Sequence, residues 1–216
     1  MNGQSVFLDL HASPIANTNK IKILETAIDL FSRKGYSGVS IREITREVGI
    51  KESSLYNHFA SKEELLSVIF LNFRRAIEEI LLSPEMLKGA LKQMTAEQFL
   101  HQGVKNFKAH IDDPINARIW RIVTIEQYRD PLARSILVED IIRRTLSFLE
   151  NAFSIMIERG MIKPHDPKLL AAEYQYPLFG MITEYNLHKY LDQDTSAIEQ
   201  SMADHIEFFL SLVRIM

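Results

Sequence analysis

Residues 40–62 read SIREITREVGIKESSLYNHFASK, and the side chains gathered there suit hydrogen bonding to base edges and phosphates. Ser53 and Ser54 are short donors that let a helix N-terminus come close to a nucleic-acid groove. Asn57 carries an amide able to make a paired contact with adenine. Tyr56 and His58 lie on the flanks, within reach of phosphate oxygens. Arg42 suits a guanine edge or a phosphate, and Lys62 brings a point charge to the start of a further helix. Each residue taken singly also reads as an ordinary surface or packing side chain. The information lies in the set and its spacing.

Two short helices must hold that set. Ile41, Ile44 and Val48 recur at intervals of three and four, which makes one helical stripe. Ser40 stands before the stripe with Glu43 three residues on, the pattern of a capping box. Gly49 follows the last apolar position, where a helix stops by turning left-handed, and Ile50 plugs the corner. The second piece starts near Glu52 and buries only Leu55 and Phe59, so its other faces are left to small polar residues. Any two-helix hairpin shares the bare pattern; the polar residues are what separate this one.

From Ile23 to Leu65 the chain resembles the N-terminal domain of TetR-type transcriptional regulators. The resemblance rests on a first helix ending in Phe31 and Gly35-Tyr36, on Val39-Ser40 opening the second helix, and on the Gly49-Ile50 turn. It continues through Leu55-Tyr56-x-His58-Phe59 and Lys62-x-x-Leu65, without gaps. It implies that Arg42, Ser53, Ser54, Tyr56, Asn57, His58 and Lys62 touch a DNA operator. Three positions depart from the common pattern: Lys51 where Ser or Thr often caps, Glu52 where Lys or Arg is frequent, and Thr45 where Ala is usual. Glu52 would repel phosphates unless it reads a cytosine amino group, or else serves as a favourable charge in the first helical turn.

The 216 residues carry 46% hydrophobic and 25% charged side chains, the make-up of an ordinary globular protein. With no cysteine, disulfides, thiolate metal sites and cysteine nucleophiles are excluded. Cytoplasmic location is expected, and no membrane association, since no run of about 18 apolar residues occurs. Residues 1–19 lack the pattern of a secretion signal and read as a flexible N-terminal arm with an apolar patch from Val6 to Leu10. The net charge is −3, and over residues 1–80 ten Lys and Arg balance ten Asp and Glu. That is not the footprint of a non-specific nucleic-acid coat; a site-specific reader would cluster its cations on one face.

The remainder also reads as helix. Ser61-x-x-Glu64 and Thr95-x-x-Gln98 are further capping boxes, Ser83-Pro84 is a break, and Asp113-Pro114, Asp130-Pro131 and Asp166-Pro167 each place a cap before a proline at the first helical position. The expected fold is all-α with about nine helices. A helix-turn-helix three-helix DNA-binding domain spans 20–66, and a larger C-terminal bundle for ligand binding and dimerisation spans 67–216. Apolar faces from Leu169 to Ile182 and from Ile198 to Val213 are either internal core or, as the resemblance implies, a four-helix homodimer interface.

The resemblance further implies an inducer pocket in the bundle, for which Trp120, Tyr128, Tyr174, Tyr176, Phe179 and Met181 are the candidates. Glu126, Glu184 and His110 could meet a polar ligand, with surface placement the simpler expectation for each. The implied function is a regulator, most simply a repressor, that binds a palindromic double-stranded operator and is released by an unknown small-molecule effector. No cofactor, metal or catalytic residue is expected: HExxH, a phosphate-binding glycine loop and a nucleophile elbow are all missing. Two other readings stay open, a DNA-binding protein without an inducer pocket and an enzyme using the one-turn pair Glu184 and His188 as metal ligands.

Overall fold

The computed structural model describes residues 7–215. Among these, the helices are α1 Thr18–Lys34, α2 Ile41–Val48, α3 Glu52–Tyr56, α4 Lys62–Ile80, α5 Pro84–Gln93, α6 Ala96–Asp112 and α7 Pro114–Glu126. They continue with α8 Pro131–Ser135, α9 Arg144–Glu158, α10 Pro167–Tyr190 and α11 Ser196–Val213. A π-helical segment, Ile136–Arg143, follows α8 and precedes α9 in the chain. The all-α architecture holds among the described residues; α5, which starts at Pro84 directly after the Ser83 cap, stands where only a break was expected, and the π segment divides α8 from α9.

Helix starts follow the capping chemistry. Asp113 accepts from the Ile115 and Asn116 amides at 3.0 and 2.9 Å, Asp130 from the Ala133 amide at 2.7 Å, and Asp166 from the Lys168 amide at 3.0 Å. Thr95 and Gln98 form a reciprocal box, each side chain accepting from the other's backbone N–H at 3.1 and 2.9 Å. In the Ser40–Glu43 box only the forward half forms, at 3.1 Å, because the Glu43 carboxylate is taken by Lys34.

The chain makes two compact units. The first comprises the described part of Met1–Glu79 together with Asp112–Asp140. In it α1 packs on α2 and on α7, around buried Ile23, Leu24, Ile28, Phe31, Ile44 and Ile119. Packing therefore does not follow a 66/67 division: α7 and α8, written after that point in the sequence, share a unit with the helix-turn-helix. The described part of the N-terminal arm is not loose. Leu8 exchanges two hydrogen bonds with the Asn72 amide on α4, at 2.7 and 2.8 Å, and Phe7 and Ile15 are buried. The apolar residues of this segment were the reason: an arm that can bury a Phe and an Ile gains about 1.5–3 kcal/mol for each, enough to fix it. Val6, the first residue of the expected apolar patch, lies outside the described residues.

The second unit comprises Ile80–Ile111 and Ile141–Met216, with α9, α10 and α11 packed in sequence and α5 against α9. Its centre is aromatic: Phe153, Tyr174 and Phe209 meet at ring separations of 5.1–6.0 Å, and the Tyr174 hydroxyl donates to the Leu100 carbonyl at 3.2 Å. Burial holds the Tyr174 phenol well above its ordinary pKa.

Candidate nucleic-acid interface

α2 ends at Gly49, whose φ of 82° and ψ of 35° put it in the left-handed region, and both Gly49 and Ile50 donate back to the Thr45 carbonyl at 2.9 Å. A side chain there would be strained, so the glycine sets the corner between the helices. α3 has only five helical residues, too few to be stable alone. It is held by Leu55 and Phe59, 0% and 1% exposed, at i and i+4. With those two turned inward, Ser53, Tyr56 and Asn57 are exposed, and Ser54 and His58 are half-buried. Arg42 is exposed on α2. Of the sequence-predicted set, Ser53, Ser54, Tyr56, Asn57 and His58 thus lie on α3 and the turn after it, with Asn57 at the α3 C-cap, and Lys62 opens α4.

The departures from the common pattern have visible consequences. Lys51 stands at the N-cap of α3 with no side-chain cap bond, as a residue without an acceptor must. Thr45 is buried and its hydroxyl donates to the Arg42 carbonyl at 3.1 Å, within its own helix. Glu52 is exposed in the first turn of α3, where a negative charge suits the helix dipole.

Lys62 differs from the rest of the set. Its ammonium donates to the Tyr36 and Val39 carbonyls at 3.0 and 2.8 Å and lies 4.0 Å from the centre of the Tyr36 ring. It ties the α1–α2 loop to the head of α4. Tyr36 is the hub of this corner: its hydroxyl donates to Glu63 at 2.9 Å, and its backbone N–H donates to Glu126 at 2.8 Å. Burial, then the bond to Glu63, hold the Tyr36 phenol well above its ordinary pKa. Lys22 similarly donates to the Val48 carbonyl at 2.9 Å, satisfying the end of α2.

Sequence reasoning placed Glu126 at the surface; it is 2% exposed. Its position at the end of α7 gave no hint of this, because its partner lies 90 residues away in sequence. The ligand candidates are also redistributed. Tyr128 is 86% and Tyr176 53% exposed, so neither lines an interior, and Tyr174 belongs to the aromatic core. Trp120 and Tyr128 lie in the first unit, and Tyr174, Tyr176, Phe179 and Met181 in the second. His188 is engaged by the Asp194 carbonyl at 3.0 Å, on an exposed turn. A residue that sequence reasoning missed is Gln175: it is buried, its amide N–H donates to the Ile141 and Ile142 carbonyls of the π segment at 3.3 Å, and its side-chain oxygen has no hydrogen-bond partner among the described residues.

A glycine-cornered pair of short helices, capped, cross-braced and presenting small polar side chains, defines the helix-turn-helix class. Residues 23–69 match the profile of "Bacterial regulatory proteins, tetR family". The biofilm operon icaADBC HTH-type negative transcriptional regulator IcaR of Staphylococcus epidermidis is 42% identical over 59 residues, 27% of this chain and 28% of IcaR. A solved structure from Mesorhizobium loti, assigned to the TetR-family transcriptional regulators, superposes with a TM-score of 0.63 at 23% identity, over 91% of this chain and 97% of that one. A transcriptional-regulator structure from Saccharomonospora viridis in complex with choline gives 0.61 at 20% identity, over 91% and 98%. Residues 23–69 are thus similar to the DNA-binding domain of TetR-family regulators, and the chain as a whole shares its fold with solved structures of that kind. The match to IcaR spans only about a quarter of that protein's length.

Proposed function

We propose that this protein is a sequence-specific DNA-binding transcriptional regulator rather than an enzyme, acting as a homodimer on a palindromic operator. The observation that carries the reading is the α2–Gly49–α3 corner with Ser53, Tyr56, Asn57 and Arg42 outward and Leu55 and Phe59 inward. Asn57 and Arg42 read base edges; Ser53, Ser54, Tyr56 and His58 fix the register on phosphates. Lys62 serves first to brace the corner, and its charge adds to the phosphate field. Two copies on a two-fold axis read two half-sites about one helical turn apart.

Repression with release by a small molecule is the regulatory form. IcaR of S. epidermidis is a negative regulator, and the S. viridis structure holds choline, which supports by analogy a small organic effector for the bundle. Gln175 adds a feature of this chain: a buried oxygen without a partner is costly, and an effector carrying a hydroxyl or N–H would satisfy it. The effector must favour the state whose half-site spacing does not fit the operator, because a ligand shifts an equilibrium only by its differential affinity.

The test is selection of bound DNA from a random pool by the purified protein at physiological salt, where specific binding exceeds non-specific binding by at least about a thousandfold. An enriched inverted repeat is the expected result. A folded dimer that enriches nothing overturns the reading.

A further inference from the structure

Glu97, His101 and Glu207 converge in the second unit, and none of the three is assigned above to DNA or effector. Glu97 and His101 are one turn apart on α6, and Glu207 comes from α11. One donor atom from each lies within 4.8 Å of the others, and the His101 Nε2 is 2.9 Å from a Glu207 oxygen. From this geometry we infer that the three side chains form a site for a divalent transition-metal ion, clamping α6 to α11.

The chemistry fits borderline cations. One imidazole and two carboxylates suit zinc, cobalt or nickel better than calcium, which prefers six to eight oxygens. Donors around a tetrahedral zinc sit roughly 3.4 Å apart, since the metal–ligand bonds are about 2.1 Å. The side chains of His101 and Glu207 are 40% and 57% exposed, so small rotamer changes close the remaining gap without moving either helix. The Glu97 carboxylate is already oriented from behind by Arg214, whose guanidinium donates to it at 3.1 Å, an outer-shell role of the kind that aligns metal-bound carboxylates. The two carboxylates are balanced by the Arg214 guanidinium and by Lys105 beside His101, so a dication is held by direct ligation and not by the net charge of the surroundings.

Three protein ligands leave one position open. His101 also lines a surface depression of about 530 Å³ with Gln98, Gln102 and Lys105, so the open position can hold water or a small ligand from that side. A bound dication replaces the present His101–Glu207 bond with a link between helices that needs no proton. Binding weakens as the imidazole is protonated, because only the neutral ring can ligate.

The experiment uses the full chain freed of metal with a chelator and titrated with cobalt or zinc alone. Expected are one site per chain by calorimetry, a visible cobalt absorption typical of four-coordination, and a rise in Tm with metal. His101→Ala and Glu207→Gln should each weaken binding at least tenfold, on the order of losses seen even for outer-shell partners. His165→Ala, an exposed histidine far from α6 in sequence, should leave it unchanged. Absence of binding in the native chain, or equal binding by the His101→Ala and native proteins, overturns the proposal.

Discussion

The Asn57 amide and the Lys62 ammonium sit on one short stretch of chain yet meet different fates. Asn57 is exposed at the α3 C-cap, free to face a base edge, and Asn57→Ala should cost about 1–3 kcal/mol of operator binding and relax preference at one base position. Competition binding against operators permuted at each position checks this; a uniform loss at all positions would make Asn57 a backbone contact. Tyr56, 51% exposed, should act the other way: Tyr56→Phe weakens binding evenly across sequences and leaves the salt slope unchanged, because a neutral hydroxyl releases no counterion. Lys62 is engaged by two carbonyls and an aromatic face. Lys62→Ala leaves the Tyr36 and Val39 carbonyls without that donor, so folding stability should fall by about 1–3 kcal/mol, read from the denaturant midpoint. A Lys62→Ala protein of native stability with weakened DNA binding would show that its charge, and not its bracing, is what matters. At this scale the exposed residues were legible because helical period alone turns Leu55 and Phe59 inward. The role of Lys62 was not, since the carbonyls that capture it lie 23 and 26 residues upstream.

Between elements, the link that local sequence cannot show is α7 onto the α1–α2 corner. Gly35 has a φ of 72°, and a Cβ there would stand 3.3 Å from a Glu126 oxygen, so the glycine both makes the turn and leaves room for the carboxylate. Glu126 then accepts the Tyr36 N–H, while Tyr36 reaches Glu63 at the head of α4. One tyrosine therefore joins the loop to α4 and α7 at once. Glu126→Gln keeps an acceptor of the same shape and should fold with near-native stability. Glu126→Ala leaves the Tyr36 N–H unpaired and should cost about 1–3 kcal/mol. Thermal unfolding of the two variants side by side decides it; equal stability would mean that the bond to Tyr36 contributes nothing. Cap residues and proline breaks were readable because they act over three or four positions, as Asp113, Asp130 and Asp166 do. The grouping of α7 with α1 depends on tertiary packing and left no mark on the local pattern.

At the scale of the whole molecule, the last two helices divide their apolar residues in a way that argues for a second copy of the chain. The stripe Ile198, Met202, Ile206, Phe209, Leu210 and Val213 is buried within the protomer, so it is core and not interface. Phe208 and Leu212 on α11, at 64% and 54% exposed, stand outside it, and Leu169, Tyr176 and Leu187 on α10, with Leu191 at its C-cap, are each more than half exposed. These four positions, the last of them the α10 C-cap, are spaced seven, eleven and four residues apart, which keeps them on one helical face. An apolar face of this kind is costly in water, and it is the surface on which the proposed homodimer can be tested. A two-fold interface uses each residue twice, so Phe208→Asp loses two buried phenyl groups of about 1.5–3 kcal/mol each. The dimer should then weaken by roughly a hundredfold or more, at 1.4 kcal/mol per tenfold. The neighbouring Phe209, 4% exposed and packed on Phe153 and Tyr174, gives the contrast. Phe209→Asp should unfold the second unit, whereas Phe208→Asp should give a folded monomer with native helical content. Sedimentation of Phe208→Asp as a dimer at micromolar concentration would remove α11 from the interface. Sedimentation as a folded monomer, with binding lost on the full operator, would tie palindrome reading to this face, because a single α3 presents too few contacts to hold a half-site alone.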